Sequence, residues 1–150
     1  MPQSLSNVIV HFVFSTKYRE PFLHDGIRQR AHEDLASIVR NNGCECYRVG
    51  GIEDHVHLAV RLSRTLSISD LLEEIKAGSS RWIKGQDERC RNFAWQRGYG
   101  AFSAYYRDLD KLLAYIDGQE EHHHKHTFQD EYRSLLIENG VEFDERYVWD

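Results

Sequence analysis

An α+β fold, with an antiparallel sheet sandwiched by helices, is what the sequence predicts. Three observations predict it. Short β-branched and aromatic runs alternate with longer stretches of helical periodicity. The glycine-led connection Gly50-Gly51-Ile52-Glu53-Asp54 separates two of the short runs and suits a hairpin, hence antiparallel pairing. The 150 residues are 41% hydrophobic and 12% aromatic, enough for one domain spanning residues 1–150 with a core of its own.

Each element has its own signal. Residues 7–14 (NVIVHFVF) lack polar alternation and predict a strand buried on both faces. A polar loop with Lys17, Arg19 and Pro21 follows. Asp25 is placed to cap a first helix, whose apolar positions are Ile27, Ala31, Leu35, Ile38 and Val39, and Asn41-Asn42-Gly43 stops it. Residues 44–49 and 55–62 predict two further strands. Ser67 or Ser69 opens a second helix, whose small-residue middle, Ala77-Gly78-Ser79-Ser80, permits close approach of another backbone. Residues 93–106 are aromatic and glycine-punctuated, predicting one or two strands with a kink near Gly98 or Gly100. A third helix spans about residues 109–119, with Leu109, Leu112, Leu113 and Ile116 as its core stripe, and a last one spans about 128–139. The tail is expected to pack a short extended segment. The order β α β β α β(β) α α predicts a ferredoxin-like arrangement.

Composition narrows the function. No apolar run approaches the ~18 residues of a membrane span, and residues 1–7 lack the pattern of a signal peptide, so a cytosolic protein is expected. Cys44, Cys46 and Cys90 are too few and wrongly spaced for a disulfide framework or zinc knuckle. Cys90, among Glu88, Arg89 and Arg91, is a candidate low-pKa thiol, but nothing completes a cysteine-protease logic. The net charge of −5 argues against a generic basic nucleic-acid binder. That average conceals an asymmetry. Residues 61–97 hold eight Lys/Arg against five Asp/Glu, and residues 117–150 hold three against ten. A basic middle can bind a polyanion locally, and ordinary solvated faces fit the composition equally.

Three constellations could carry chemistry. His55 and His57 are two apart in a strand, so both leave one face while Val56, Leu58 and Val60 leave the other. Paired imidazoles form half a divalent-metal site or a pair of hydrogen-bonded histidines. Asp54 could orient a histidine or serve the turn. Tyr115 and Gln119, four apart, lie about 40° apart on one helical ridge. The glutamine carbonyl can ligate a hard cation. His122-His123-His124 and His126 form a tract that reads as a metal tract or as a solvated helix end. There is no G-x-S-x-G elbow and no Walker A loop.

Together these pieces resemble the single-tyrosine HUH transposases of the IS200/IS605 insertion-sequence family, which include the REP-associated tyrosine transposases. The resemblance rests on HFVFSTKYRE, Asp54-His55-Val56-His57-Leu58, WQRGYGAFS, Tyr115-x-x-x-Gln119, Glu121-His122-His123 and a Phe-x-x-Glu-Tyr helix, in that order. It implies the HUH endonuclease fold and a metal-dependent single-stranded DNA transposase that cleaves and rejoins strands at hairpin-containing ends. It implies His55, His57 and Gln119 as ligands of Mg²⁺ or Mn²⁺ and Tyr115 as the nucleophile forming a 5′-phosphotyrosine. It also implies a homodimer with active sites that can be composite, no nucleotide cofactor, and a cytoplasmic, nucleoid-associated protein. Lys17, Arg19, Arg81 and Lys84 are the candidate DNA contacts by charge and placement. Tyr105 and Tyr106 are rival tyrosines, and only Tyr115 has a glutamine one helical turn on. Gly118 is expected either to loosen the helix that carries Tyr115 or to end it. Two alternatives stand: a domesticated, non-cleaving hairpin-binding protein of the same fold, and an unrelated metal protein using the histidine tract.

Overall fold

The apolar N-terminal run becomes an inner strand because both of its faces have something to pack against. The structure, a computed structural model, describes residues 2–150; Met1, first residue of the expected domain, lies outside them. Strand β1 (Ile9–Ser15) is buried at every position. After helix α1 (Arg28–Asn41) come β2 (Glu45–Ile52), β3 (His55–Arg61), helix α2 (Ile68–Lys84) and β4 (Gly100–Ala104). Helices α3 (Leu109–Asp117), α4 (Gln119–His122) and α5 (Phe128–Glu138) follow. The sheet has the order β2-β3-β1-β4 with every neighbour antiparallel. The fold is α+β, as the element order predicts.

Period-two side-chain direction divides the sheet into two faces. Val10, Phe12, Phe14, Val56, Leu58 and Val60 meet α1 (Leu35, Val39) and α2 (Leu71, Ile75, Ile83) in the larger apolar core. On the other face Val13 and Phe102 meet Phe128, Tyr132 and Leu136 of α5. Ser67 caps α2, its hydroxyl accepting from the Asp70 amide at 3.0 Å. Gly78 gives the close approach its small neighbourhood predicts: a Cβ there would lie 2.9 Å from Ile38 Cδ1 of α1.

Several expectations are corrected. Asp25 does not cap α1, which starts at Arg28 behind an Ile27 that makes no side-chain cap bond; Asp25 instead pairs with Arg28 at 3.1 Å. Gly50 and Gly51 lie within β2, and the hairpin turn is only Glu53-Asp54. Contact from above and across, not turn geometry, explains these glycines. A Cβ on Gly50 would sit 2.6 Å from Ile116 Cγ2 of α3, and one on Gly51 (φ 141) would collide with the His55 carbonyl. Within the one or two strands expected, the 93–106 segment yields one, β4, starting at Gly100, plus an isolated bridge between Thr16 and Trp95. The third helix ends at Gly118, so Gln119 begins a separate turn, α4. Of its expected stripe only Ile116 is buried, and the three leucines are half-buried. The tail forms no strand: residues 141–144 have no regular structure and 145–149 are turns, with Phe143, Val148 and Trp149 packed on the second core and the Asp150 carbonyl accepting from the Gly98 amide at 2.8 Å.

Candidate active site

The face of β3 turned towards α3, α4 and α5 carries His55 and His57, both fully buried. Each ring uses Nδ1 outwards and turns Nε2 inwards. His55 Nδ1 donates to Asp54 Oδ1 at 2.7 Å, and His57 Nδ1 lies 2.8 Å from Nε2 of His11 on β1. Inwards, His55 Nε2 is 2.9 Å from Gln119 Oε1 and 3.4 Å from Glu131 Oε1. His57 Nε2 is 3.2 Å from that same Glu131 oxygen. Asp54 thus does both of the jobs its position suggests, turning the chain and holding a histidine.

Helix α3 reaches this site through β2. An extra residue at Tyr47 shifts the β2 register between Cys46 and Arg48. Arg48 then holds Asp117 of α3 at 2.7 Å, while Ile116 covers Gly50. Tyr115 is half-buried, and its hydroxyl donates to Glu131 Oε2. Its ring lies 5.6 Å from that of His57 and 5.9 Å from that of His11. Although the helix breaks at Gly118, Gln119 is buried and stays on the Tyr115 side, its Nε2 donating to Glu131 Oε2 at 2.8 Å. The structure therefore brings His55, His57, Tyr115 and Gln119 together within one chain. Tyr105 and Tyr106 are exposed, in and beside the turn that precedes α3.

Three further residues at the site stand in motifs that the sequence analysis quotes but are given no individual role there. Glu131, on α5, is at the centre and only 4% exposed. Its signal was present: a carboxylate stands between Phe128 and Tyr132 on the buried face of a helix, where charge is rare unless paired. His11 is an imidazole between Val10 and Phe12 in a strand whose one other polar residue is its last, Ser15. His123 belongs to the tract that the sequence left ambiguous.

Burial and pairing set the charges. Burial works against a charge on His55, but hydrogen bonds and charges from Asp54 and Glu131 outweigh it and raise the pKa to about 9. Burial dominates at His57, lowering it to about 4, and at His11, lowering it to about 3. Glu131 resists burial because hydrogen bonds from His123, His55 and His57 hold it well below the usual carboxylate range. Burial, then the Glu131 charge, pushes the Tyr115 phenol up. Cys90 is no activated thiol: burial and then Asp87 raise it to about 11, against the expectation from its arginine neighbours.

The donor set fits a divalent cation. One nitrogen each of His55 and His57 and one oxygen of Glu131 lie within 4.8 Å of one another. The Gln119 carbonyl adjoins them, and each histidine has its outer nitrogen engaged, as metal-binding imidazoles usually do.

Lys17 and Arg19 sit on a 3-10 turn just after β1, beside a cleft lined by Trp95, Gln96 and Trp149. Tyr18 and Arg19 hold positive φ values of 57° and 58°, and the Arg19 guanidinium lies 5.7 Å from the centre of the Trp149 ring. Arg81 and Lys84 are exposed on α2, in the layer across the sheet from the histidines. None of these four cations forms an ion pair among the described residues.

The chain belongs to the IS200-like transposase family, whose sequence profile matches residues 4–119. Two solved structures share the fold. One is a candidate transposase from Deinococcus radiodurans R1, with 21% identity, TM-score 0.62, and 79% of this chain and 98% of that one covered. The other is a REP-associated tyrosine transposase bound to a REP hairpin, with 16% identity, TM-score 0.60, and 82% and 72% covered. Among curated protein sequences none matches this chain significantly. Among the described residues no helix is long and apolar enough to cross a membrane.

Proposed function

We propose that residues 1–150 form a single metal-dependent transposase domain that cleaves and rejoins single-stranded DNA at hairpin-bearing ends. The observation that carries this reading is the convergence of His55 Nε2, His57 Nε2, the Gln119 amide and the Tyr115 hydroxyl about Glu131, with Gln119 Oε1 against His55 Nε2. A relative of the same fold is bound to a REP hairpin, which supports hairpin DNA as the partner.

His55, His57 and Gln119 would hold Mg²⁺ or Mn²⁺, which supplies Lewis-acid polarisation of the scissile phosphate. Tyr115 is the nucleophile. Its oxygen attacks phosphorus, the bond from phosphorus to O3′ breaks, and a 5′-phosphotyrosine and a free 3′-hydroxyl result. The phenol proton is already directed at Glu131 Oε2, its acceptor, and the leaving O3′ takes up a proton. Attack on the phosphotyrosine by a second 3′-hydroxyl reverses these changes and rejoins a strand, so no nucleotide cofactor is needed. Lys17, Arg19, Arg81 and Lys84 are the cations that would contact DNA phosphates. The assembly we propose is a homodimer; the four residues already meet within one chain, and a composite site would exchange the Tyr115 helix between protomers.

The test is a covalent-adduct assay. Wild type and Tyr115→Phe are incubated with labelled single-stranded DNA from the flanking ends, with Mn²⁺ or with EDTA. An SDS-resistant protein–DNA band is expected only with wild type and metal. Tight hairpin binding without any band would instead make this a non-cleaving hairpin-binding protein, and a band persisting in Tyr115→Phe would point to another tyrosine.

A further inference from the structure

We propose that the histidine tract supplies a ligand to this same metal centre: His123, together with Glu131, joins His55, His57 and Gln119 around the cation. The inference rests on the metal-dependent reading above and extends it to two residues outside the segment that matches the family profile, residues 4–119.

Two histidines of the tract turn towards Glu131 and meet different oxygens: His122 Nε2 lies 3.7 Å from Oε2, which already accepts from Tyr115 and Gln119, and His123 Nε2 lies 3.0 Å from Oε1. The His123 side chain is 4% exposed against 32% for His122, and His124 and His126 are exposed. The break at Gly118 starts a new turn, and the His123 amide donates to the Gln119 carbonyl at 3.0 Å. Gln119 and His123 therefore stand four apart on one turn, the spacing that places paired helical ligands on one metal.

Hydrogen positions strengthen the case. His123 Nδ1 lies 2.6 Å from the His126 carbonyl oxygen. A carbonyl only accepts, so the proton is on Nδ1. Nε2 faces Gln119 Oε1 and Glu131 Oε1, each 3.0 Å away. His55 repeats the pattern. Its Nδ1 is committed to Asp54, and its Nε2 faces the same two oxygens at 2.9 and 3.4 Å. Donor atoms so arranged converge on one point, and the two rings stand with their centroids 4.5 Å apart. One cation among the Nε2 atoms and the two oxygens is then held by both rings. Glu131 then divides its labour, with Oε1 facing the metal and Oε2 accepting from Tyr115 and Gln119 Nε2. Five protein donors leave about one position of a six-coordinate ion for a phosphate oxygen.

The test measures Mn²⁺ binding in the full chain without DNA. Affinity is read by titration, and coordinated imidazole nitrogens are counted by pulsed electron paramagnetic resonance. Wild type should show three imidazoles. His123→Ala should show two and bind Mn²⁺ at least about tenfold more weakly. His124→Ala should match wild type, and Glu131→Gln should weaken binding. His123→Gln offers an amide oxygen in place of the imidazole and should recover part of the affinity with the count still at two; far-ultraviolet circular dichroism checks that each variant is folded. If His123→Ala and His123→Gln bind with unchanged affinity and nitrogen count while His55→Ala and His57→Ala lose the metal, His123 only hydrogen-bonds Glu131 and the proposal falls alone. If His55→Ala and His57→Ala also bind as wild type does, the metal-dependent reading falls with it.

Discussion

Strands β1 and β3 have two faces that are equally dry and held by different physics. On one, Phe12, Phe14, Val56, Leu58 and Val60 are fully or almost fully buried among aliphatic side chains from α1 and α2. On the other, His55 and His57 are just as buried, but they face Gln119, Glu131 and His11. The apolar face is stabilised by many small, undirected contacts, so its contribution scales with area removed from water. The histidine face depends on a few directed bonds that share one carboxylate, and the groups facing that carboxylate offer donors of the kind a cation needs. The first face makes the fold; the second uses the rigidity of the first to hold reactive groups at fixed separations.

The comparison can be tested from its largest consequence downwards. Leu58→Ala should cost about 2–5 kcal/mol in urea unfolding, with or without metal, because it opens a cavity in the apolar core. The metal should act on the other face alone: Mn²⁺ at ~100 times its dissociation constant should add about 2.7 kcal/mol to wild type. That increment should survive in Leu58→Ala and vanish in His57→Ala; a loss in Leu58→Ala would show that the faces are not separable.

Acid and base should act through the histidine face too. His57 and His11, with pKa values of about 4 and about 3 in the fold, are neutral where the unfolded chain, near 6.5, already takes up protons. Stability in EDTA should therefore fall as pH drops from about 6.5 towards 4. His55 at about 9 has the opposite sign: its contribution is complete below about 6.5 and is lost as pH rises through 9. Unfolding in EDTA should thus be hardest near pH 6.5, with the acid limb, to which two histidines contribute, the steeper. A flat profile between pH 4 and 9 would contradict these protonation states. The smallest effect should come from Arg48→Ala. Its ion pair with Asp117 is partly exposed, so the loss should be at most about 1 kcal/mol by the same unfolding assay.

Legibility followed the same division. Alternation along 55–60 placed the histidines opposite Val56, Leu58 and Val60 before any packing was known. The four-residue spacing of Tyr115 and Gln119 also put them on one side, and the break at Gly118 left that relation intact. Gly50 and Gly51 misled because a glycine pair signals a turn as readily as a close approach. Here the approaching groups were Ile116 of α3 and the His55 backbone, which local sequence does not reveal. Glu131, His11 and His123 lie on three segments far from 55–57 in the chain, and nothing local marks them as neighbours of one another.

By itself the sequence determined what is periodic and local: the order of elements, the two faces of the sheet, the paired histidines, and a tyrosine with its glutamine. These follow from side-chain direction in strands and helices, which the backbone imposes wherever such elements form. Only the tertiary structure decided which carboxylate stands among those groups, which histidine of the tract turns inward, and that one chain brings them all together. Those outcomes depend on how α3, α4 and α5 lie across the sheet, through Gly50 beneath Ile116, Arg48 with Asp117, and Phe128 and Tyr132 against Val13 and Phe102. Each contact joins residues distant in sequence, and no local pattern encodes it.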